Sequence, residues 1–202
     1  MNRFVLAALF VGFFGTSAHA YYSIMDTGEA LTDRYKLTGE AQLLTDRGGG
    51  NASARFDVGI NEEWGFRGLA GFGKIDMFFG GFAKWRAVEE TEDMPLFALN
   101  AGLVYVKNDG VRDLILRLEP LASKKFDLEG IVLTPYGSLP IGIRSSDADP
   151  GKNDEDAITL QLVAGAQLHI KEWEYVDFLT EIGVELNEAP TYISVGAIYY
   201  LQ

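Results

Sequence analysis

Cysteine is absent from the 202-residue sequence, which excludes disulfide bonds, thiolate metal sites and a lipid-modified cysteine. Basic residues are also few, 17 against 29 acidic residues, and the net charge of -12 argues against nucleic acid as a partner because phosphate binding needs a basic surface. Beyond residue 20 no apolar run reaches the roughly twenty residues that a membrane-spanning helix needs. Helical membrane insertion of that part of the chain is therefore not expected.

The first twenty residues have the pattern of a secretory signal peptide. Arg3 supplies the positive charge, Phe4–Phe14 form an apolar stretch, and Ala18–Ala20 fit the pattern of a cleavage site. The apolar stretch is too short for a transmembrane anchor. We therefore expect residues 1–20 to be removed on export, which leaves a single domain over 21–202.

Alternation of apolar and polar residues dominates the rest of the sequence. Between Ile158 and Lys171 almost every second residue is apolar, and only Val163 clearly departs from the pattern. Strands of soluble domains average about five to six residues, whereas a tilted membrane-spanning strand needs about nine to eleven. Because proline cannot donate to a sheet, we expect a β-bulge at Pro140. The alternation predicts ten strands, over residues 34–44, 51–61, 64–73, 75–88, 96–106, 113–123, 131–144, 158–171, 175–187 and 192–202.

The apolar sides of these strands indicate what they face. Those of the second, sixth, eighth and ninth strands carry no charged residue. A lysine or arginine that faces lipid at the bilayer midplane costs about 2–4 kcal/mol, so a lipid-facing surface should lack charge. Alanines such as Ala54, Ala164 and Ala166 would fill the core of a soluble sandwich poorly but are tolerated against lipid. The pattern therefore favours a membrane barrel over a soluble β-sandwich, although alternation is compatible with both.

Tryptophan placement and turn length suggest an orientation. If the amino terminus lies in the periplasm, the three tryptophans all fall at periplasmic turns, and the long polar connection 145–157 falls outside. Aromatic residues are enriched where a barrel meets the membrane interface. The predicted aromatic girdle consists of Trp64, Trp85, Trp173, Tyr175 and Tyr199.

The leader ending in "SAHA", the alternating strands and the terminal "YISVGAIYYLQ" resemble a small bacterial outer-membrane β-barrel protein. The resemblance implies an all-β fold, a closed antiparallel up-and-down transmembrane β-barrel of about ten strands, with eight as the alternative. It also implies a monomer in the outer membrane of a Gram-negative bacterium, in contact with lipid and lipopolysaccharide and inserted by the barrel assembly machinery. Members of this class often end in an aromatic residue, and Gln202 departs from that pattern.

Charged residues on the polar side of the strands would point into the lumen of such a barrel. Buried charges must pair or stay hydrated, so we expect a salt-bridged and partly wet interior. The predicted lumen network comprises Arg34, Lys36, Glu40, Arg55, Asp57, Arg67, Lys84, Arg86, Arg117, Glu119, Arg144, Asp177, Glu181 and Glu185.

Catalytic and metal-binding chemistry find little support. His169 is the only histidine after the leader and falls near the predicted periplasmic end, whereas barrel enzymes that modify lipid work on the outer leaflet. A catalytic base also needs a nucleophile within reach. We therefore predict no enzyme activity, no cofactor and no metal site. The acidic loop, with Asp147, Asp149, Asp154, Glu155 and Asp156, departs from the spacing of a calcium loop and is expected to be solvated.

Three functions stay open on this basis. The first is an outer-membrane barrel with a structural or surface-interaction role, its lumen filled largely by paired charges. The second is a narrow passive channel for small solutes. The third is a soluble periplasmic β-sandwich that binds a ligand.

Overall fold

The computed structural model describes residues 23–29, 35–45, 48–147 and 157–201. The predicted signal peptide and Arg34 lie outside these ranges. Within them, every regular element is a strand, and none forms a helix long and apolar enough to cross a membrane. The strands are β1 Tyr35–Leu44, β2 Gly50–Gly59, β3 Trp64–Gly73, β4 Met77–Val88, β5 Leu96–Asn108, β6 Val111–Ser123, β7 Phe126–Leu128, β8 Ile131–Ser138, β9 Ile141–Ser146, β10 Ala157–Ile170, β11 Val176–Asn187 and β12 Tyr192–Leu201.

The strands form one closed antiparallel barrel. Consecutive strands pair from β1 to β6 and from β9 to β12, and β12 pairs with β1 along its whole length, which closes the sheet. β8 and β9 lie end to end between β6 and β10 and together supply one wall position, while the short β7 pairs only with β8. The barrel therefore has ten wall positions, and the predicted fold class is confirmed.

Side chains alternate between the two faces of the wall, as strand geometry requires. In β10, Leu162 is 51% exposed on the outside and Gln161 is 2% exposed on the inside. Val163 departs from alternation by residue type, since it is apolar but buried on the inner face. The predicted alternative of a β-sandwich is wrong, because the described strands form one closed sheet and not two stacked ones.

The chain passes Pro140 without the predicted bulge. The pairing register to β10 and to β6 is the same before and after the break between β8 and β9, so no extra residue is inserted. The Leu139 N–H still donates to the carbonyl of Pro120 (3.3 Å), and the Pro140 carbonyl accepts from the N–H of Gln161 (3.2 Å). The prediction of a bulge was wrong because the sheet loses only the donor that proline lacks.

The two ends of the barrel differ in their side chains. Turns 60–63, 89–95 and 171–175 lie at one end, which we call the tryptophan end because all three tryptophans lie there. The opposite end, which we call the long-loop end, carries the turn 109–110 and the connection 147–156.

Candidate functional site: the barrel lumen

A segment that precedes β1 lies inside the barrel. Ser23 through Thr27 are at most 2% exposed, and Glu29 is half-buried. We call residues 23–29 the lumen segment. Its contacts include inward side chains on opposite walls of the barrel: Glu40, Arg55, Arg67, Lys84, Ser123, Tyr136 and Glu181. Only a segment in the lumen can contact β1, β2, β3, β4, β6 and β11 together.

The barrel wall binds the backbone of the lumen segment. The buried carboxylate of Glu181 accepts hydrogen bonds from the N–H groups of Ile24 (2.7 Å) and Met25 (2.6 Å). The same carboxylate accepts from the hydroxyls of Tyr136 (2.7 Å) and Tyr192 (2.5 Å). Buried backbone N–H groups are costly when unpaired, so Glu181 supplies what a neighbouring strand would otherwise supply.

The side chain of Asp26 lies among three cations from three strands. Its carboxylate is 2.6 Å from the Lys84 Nζ, 2.9 Å from the Arg67 Nη2 and 3.5 Å from the Lys36 Nζ. We call these three residues the cation cluster. Asp57, on β2 between them, pairs with the Arg67 Nε at 2.7 Å. Buried charges need partners of opposite sign. Asp57 alone leaves the three cations with an excess of positive charge, and Asp26 reduces that excess.

Gly28 fits the lumen because it has no side chain. Its φ of +78° lies in the left-handed region that L side chains rarely adopt. A Cβ atom there would lie 2.6 Å from the Leu121 Cδ2 and 2.8 Å from the Leu96 Cδ2. Both leucines are buried, so neither can move aside freely. Glycine therefore lets the chain turn against the wall at the tryptophan end of the lumen segment.

We expect Gly28→Ala to lower the free energy of unfolding because of this close packing. Gly110→Ala is the matched control, since Gly110 has a similar φ of +85° but open space where its Cβ would lie. Both variants should lose about 1–2 kcal/mol of unfolding free energy, because alanine is strained in the left-handed backbone region. Gly28→Ala should lose about 1–3 kcal/mol more through overpacking. Urea unfolding in lipid vesicles measures the difference, and equal losses would contradict the position of the lumen segment.

Most predicted lumen charges are buried in pairs. Arg55 and Glu40 are 2.5 Å apart, and Arg117 and Glu119 are 2.9 Å apart. Arg144 pairs at 3.5 Å with Glu188, a loop residue that the sequence analysis did not include. The pairs therefore form between adjacent strands, along one strand, or between the wall and a turn.

Two predicted members of the network lie elsewhere. Arg86 is half-buried near the tryptophan end and pairs with Glu89 at 2.8 Å. Glu185 is exposed near the long-loop end, apart from the buried network. Arg34 falls outside the described residues. Alternation gives the face of a residue but not its height in the barrel, which explains why Arg86 and Glu185 were grouped with the buried charges.

Asp177 forms a separate polar cluster near the tryptophan end. Its carboxylate lies 2.6 Å from the His169 Nδ1 and accepts hydrogen bonds from Gln167 (2.5 Å) and the Tyr200 hydroxyl (2.7 Å). His169 is thus held by a hydrogen bond to the carboxylate of Asp177. Of the acidic loop, Asp147 accepts from the N–H of Arg112 (2.8 Å), and Asp149, Asp154, Glu155 and Asp156 fall outside the described residues. Among the residues whose placement is described, no group of three or more could hold a metal ion.

Towards the long-loop end the lumen contains an apolar cluster that the predicted charge network did not include, beside buried polar side chains such as Gln42, Asn51 and Asp113. We call the residues of this cluster the apolar layer: Leu44, Leu69, Ile75, Phe78, Phe82, Val104, Val106, Ile115 and Tyr192. They are at most 6% exposed. Several of them point inward from the same strands as the charged residues. Leu69 lies two residues after Arg67 on β3, and Phe82 lies two residues before Lys84 on β4. The interior therefore combines paired charges with apolar clusters.

The predicted girdle residues all lie outward at the tryptophan end. Trp64, Trp85, Trp173, Tyr175 and Tyr199 are between 37% and 49% exposed. Trp64 and Trp85 face each other across β3 and β4, with stacked rings whose centroids are 6.1 Å apart. Cross-strand aromatic pairs stabilise a sheet, so this arrangement also has a structural role.

Comparisons with known proteins show only a general likeness. No protein-family model and no curated protein match the chain. Among solved structures, the KdgM porin aligns at 8% identity with a TM-score of 0.43, covering 83% of this chain and 99% of that chain. The translocator domain of the autotransporter NalP from Neisseria meningitidis aligns at 12% identity and 0.40, covering 84% and 89%. A designed transmembrane β-barrel aligns at 13% identity and 0.43, covering 86% and 99%. These values give no basis for transferring a function from any of these proteins.

Proposed function

We propose that this chain is a non-conducting barrel of the bacterial outer membrane with a structural or surface-interaction role. The observation that carries the proposal is the filled lumen, which holds the lumen segment in its middle and the apolar layer towards the long-loop end. A barrel of about eight strands is just wide enough for side chains to fill, and ten strands enclose only slightly more space. The narrow channel that the sequence left open would require both the lumen segment and the apolar layer to move.

The outer surface supports the membrane location. Apolar side chains cover the outward face of every long strand, including Leu37, Phe66, Leu116, Ile182 and Val195. Monomeric soluble proteins rarely expose such a continuous apolar surface. On this proposal the tryptophan end lies at the periplasmic interface, and the monomeric barrel contacts lipid and lipopolysaccharide after insertion by the assembly machinery. No catalytic role is assigned.

The proposal predicts that the folded, purified protein does not conduct ions. In planar lipid bilayers, its current should equal that of a protein-free bilayer over ordinary voltages, because the lumen segment and the apolar layer leave no continuous water path. Heat-dependent gel mobility should establish beforehand that the barrel is closed and folded. A general porin in the same bilayer serves as the positive control.

Stepwise current from the unmodified barrel would contradict the proposal. Recovery of the exported protein in the soluble periplasmic fraction, rather than with membranes, would contradict the location. These two outcomes are independent of each other.

A further inference from the structure

The cation cluster has the features of a binding site for a carboxylate. Lys36, Arg67 and Lys84 extend from β1, β3 and β4 towards one point in the lumen, where both oxygens of Asp26 contact them. The side chains of the three cations are at most 7% exposed, and that of Asp26 is fully buried. Hydrogen bonds between charged groups are short and strong, and they strengthen further where water is excluded.

Among the described strand residues, the three cations have a single acidic ion-pair partner. Asp57 is the strand residue that pairs with a member of the cluster, and it does so through the Arg67 Nε only. The terminal nitrogens that contact Asp26 therefore point to a carboxylate that comes from outside the strands. Asp26 is attached to the chain only through a segment without regular secondary structure.

We propose that the cation cluster is a carboxylate-binding site whose resident occupant is the chain's own Asp26. Small soluble monocarboxylates, such as formate, are the external ligands that fit it, since they present the same two oxygens without the peptide. The site adjoins the tryptophan end. There the backbone carbonyl of Glu29 accepts a hydrogen bond from the Lys84 Nζ (3.0 Å), and Glu29 also lines a cavity of about 640 Å³. This inference rests on the proposed function to the extent that the lumen segment fills the lumen.

Asp26→Ala in the full chain tests the site, because it removes the carboxylate and leaves space for formate. The readout is the urea unfolding equilibrium in lipid vesicles, in sodium formate against equal concentrations of sodium chloride. A site with a dissociation constant of about 10 mM would raise the folding equilibrium constant about tenfold at 100 mM formate. The unmodified protein should show no such difference between the salts, because Asp26 occupies the site.

Asp26→Asn is the matched control. Its amide removes the charge but fills the same space, so formate should not stabilise this variant beyond chloride. Formate stabilisation of Asp26→Ala that is no larger than that of Asp26→Asn would overturn the proposal. Equal stabilisation of Asp26→Ala by formate and chloride would overturn the assignment to carboxylates.

Because Asp26→Ala removes the shared carboxylate from three buried cations, the folding yield is measured as well, by heat-dependent gel mobility after refolding with either salt. A higher yield in formate supports the site.

If the variant folds in neither salt, Asp26→Ala combined with Lys84→Met removes one charge of each sign and leaves Lys36 and Arg67 to bind formate. No formate response in that double variant would overturn the proposal. Conductance of the unmodified barrel would contradict the proposed function but leave the formate comparison unaffected.

Discussion

Leu162→Arg should lower the free energy of unfolding in lipid vesicles by about 2–4 kcal/mol, the cost of an arginine facing hydrocarbon at the bilayer midplane. Leu162 is 51% exposed on the outer face, near the middle of β10. In cells, this variant should assemble poorly and be recovered at a reduced level in the membrane fraction.

Ile158→Arg is the control for depth. Ile158 lies on the same outer face of β10 but near its long-loop end, where the cost of an arginine falls to about 0–1 kcal/mol. Gln161 on the inner face cannot serve as a control, because it is buried between Arg117 and the carbonyl of Pro190. Equal losses of unfolding free energy for Leu162→Arg and Ile158→Arg would contradict the proposal that a membrane surrounds the outer face of β10.

Arg55→Met should lower the free energy of unfolding by about 3–5 kcal/mol, because it leaves the buried carboxylate of Glu40 without its cation. Arg55 is 1% exposed, lies 2.5 Å from Glu40 and also donates to the carbonyl of Ser23 at 2.9 Å. The loss should therefore combine an uncompensated charge with a weaker hold on the lumen segment. Urea unfolding monitored by tryptophan fluorescence measures it.

The double variant Arg55→Met with Glu40→Met separates these two contributions. Replacing both members of a buried ion pair with apolar residues is often neutral or stabilising, so the double variant should be more stable than Arg55→Met alone. What instability remains then reports the lost hydrogen bonds to Ser23. A double variant less stable than Arg55→Met would contradict the assignment of this pair as the main source of the loss.

The polar register predicted which residues face inward, but not which of them form pairs. Arg55 and Glu40 lie on adjacent strands, so their pairing follows from the order of the strands. Arg144 pairs instead with Glu188 from a turn. Cations on the predicted first, third and fourth strands outnumber the acids beside them, and this excess was a signal that a carboxylate had to come from elsewhere.

The apolar layer was missed for a related reason. Leu69, Phe82 and Val104 are apolar residues on strands whose outward residues are also apolar, so alternation of residue type does not distinguish their two faces. Their location follows only from the register of neighbouring residues such as Arg67 and Lys84. The same reasoning explains Val163, which departs from the apolar register of β10 because it packs inside the barrel beside Met25 in one cluster.

The sequence by itself determined the all-β architecture and the outward or inward face of those strand residues whose types alternate, because a period of two is a local property of strand geometry. Only the tertiary structure decided what fills the lumen. Residues 23–29 have no periodic pattern, and their partners are distant in sequence, as with Ile24 and Glu181, which are 157 residues apart. Closure of the wall brings those partners to one point, and the local pattern of the segment contains no information about them.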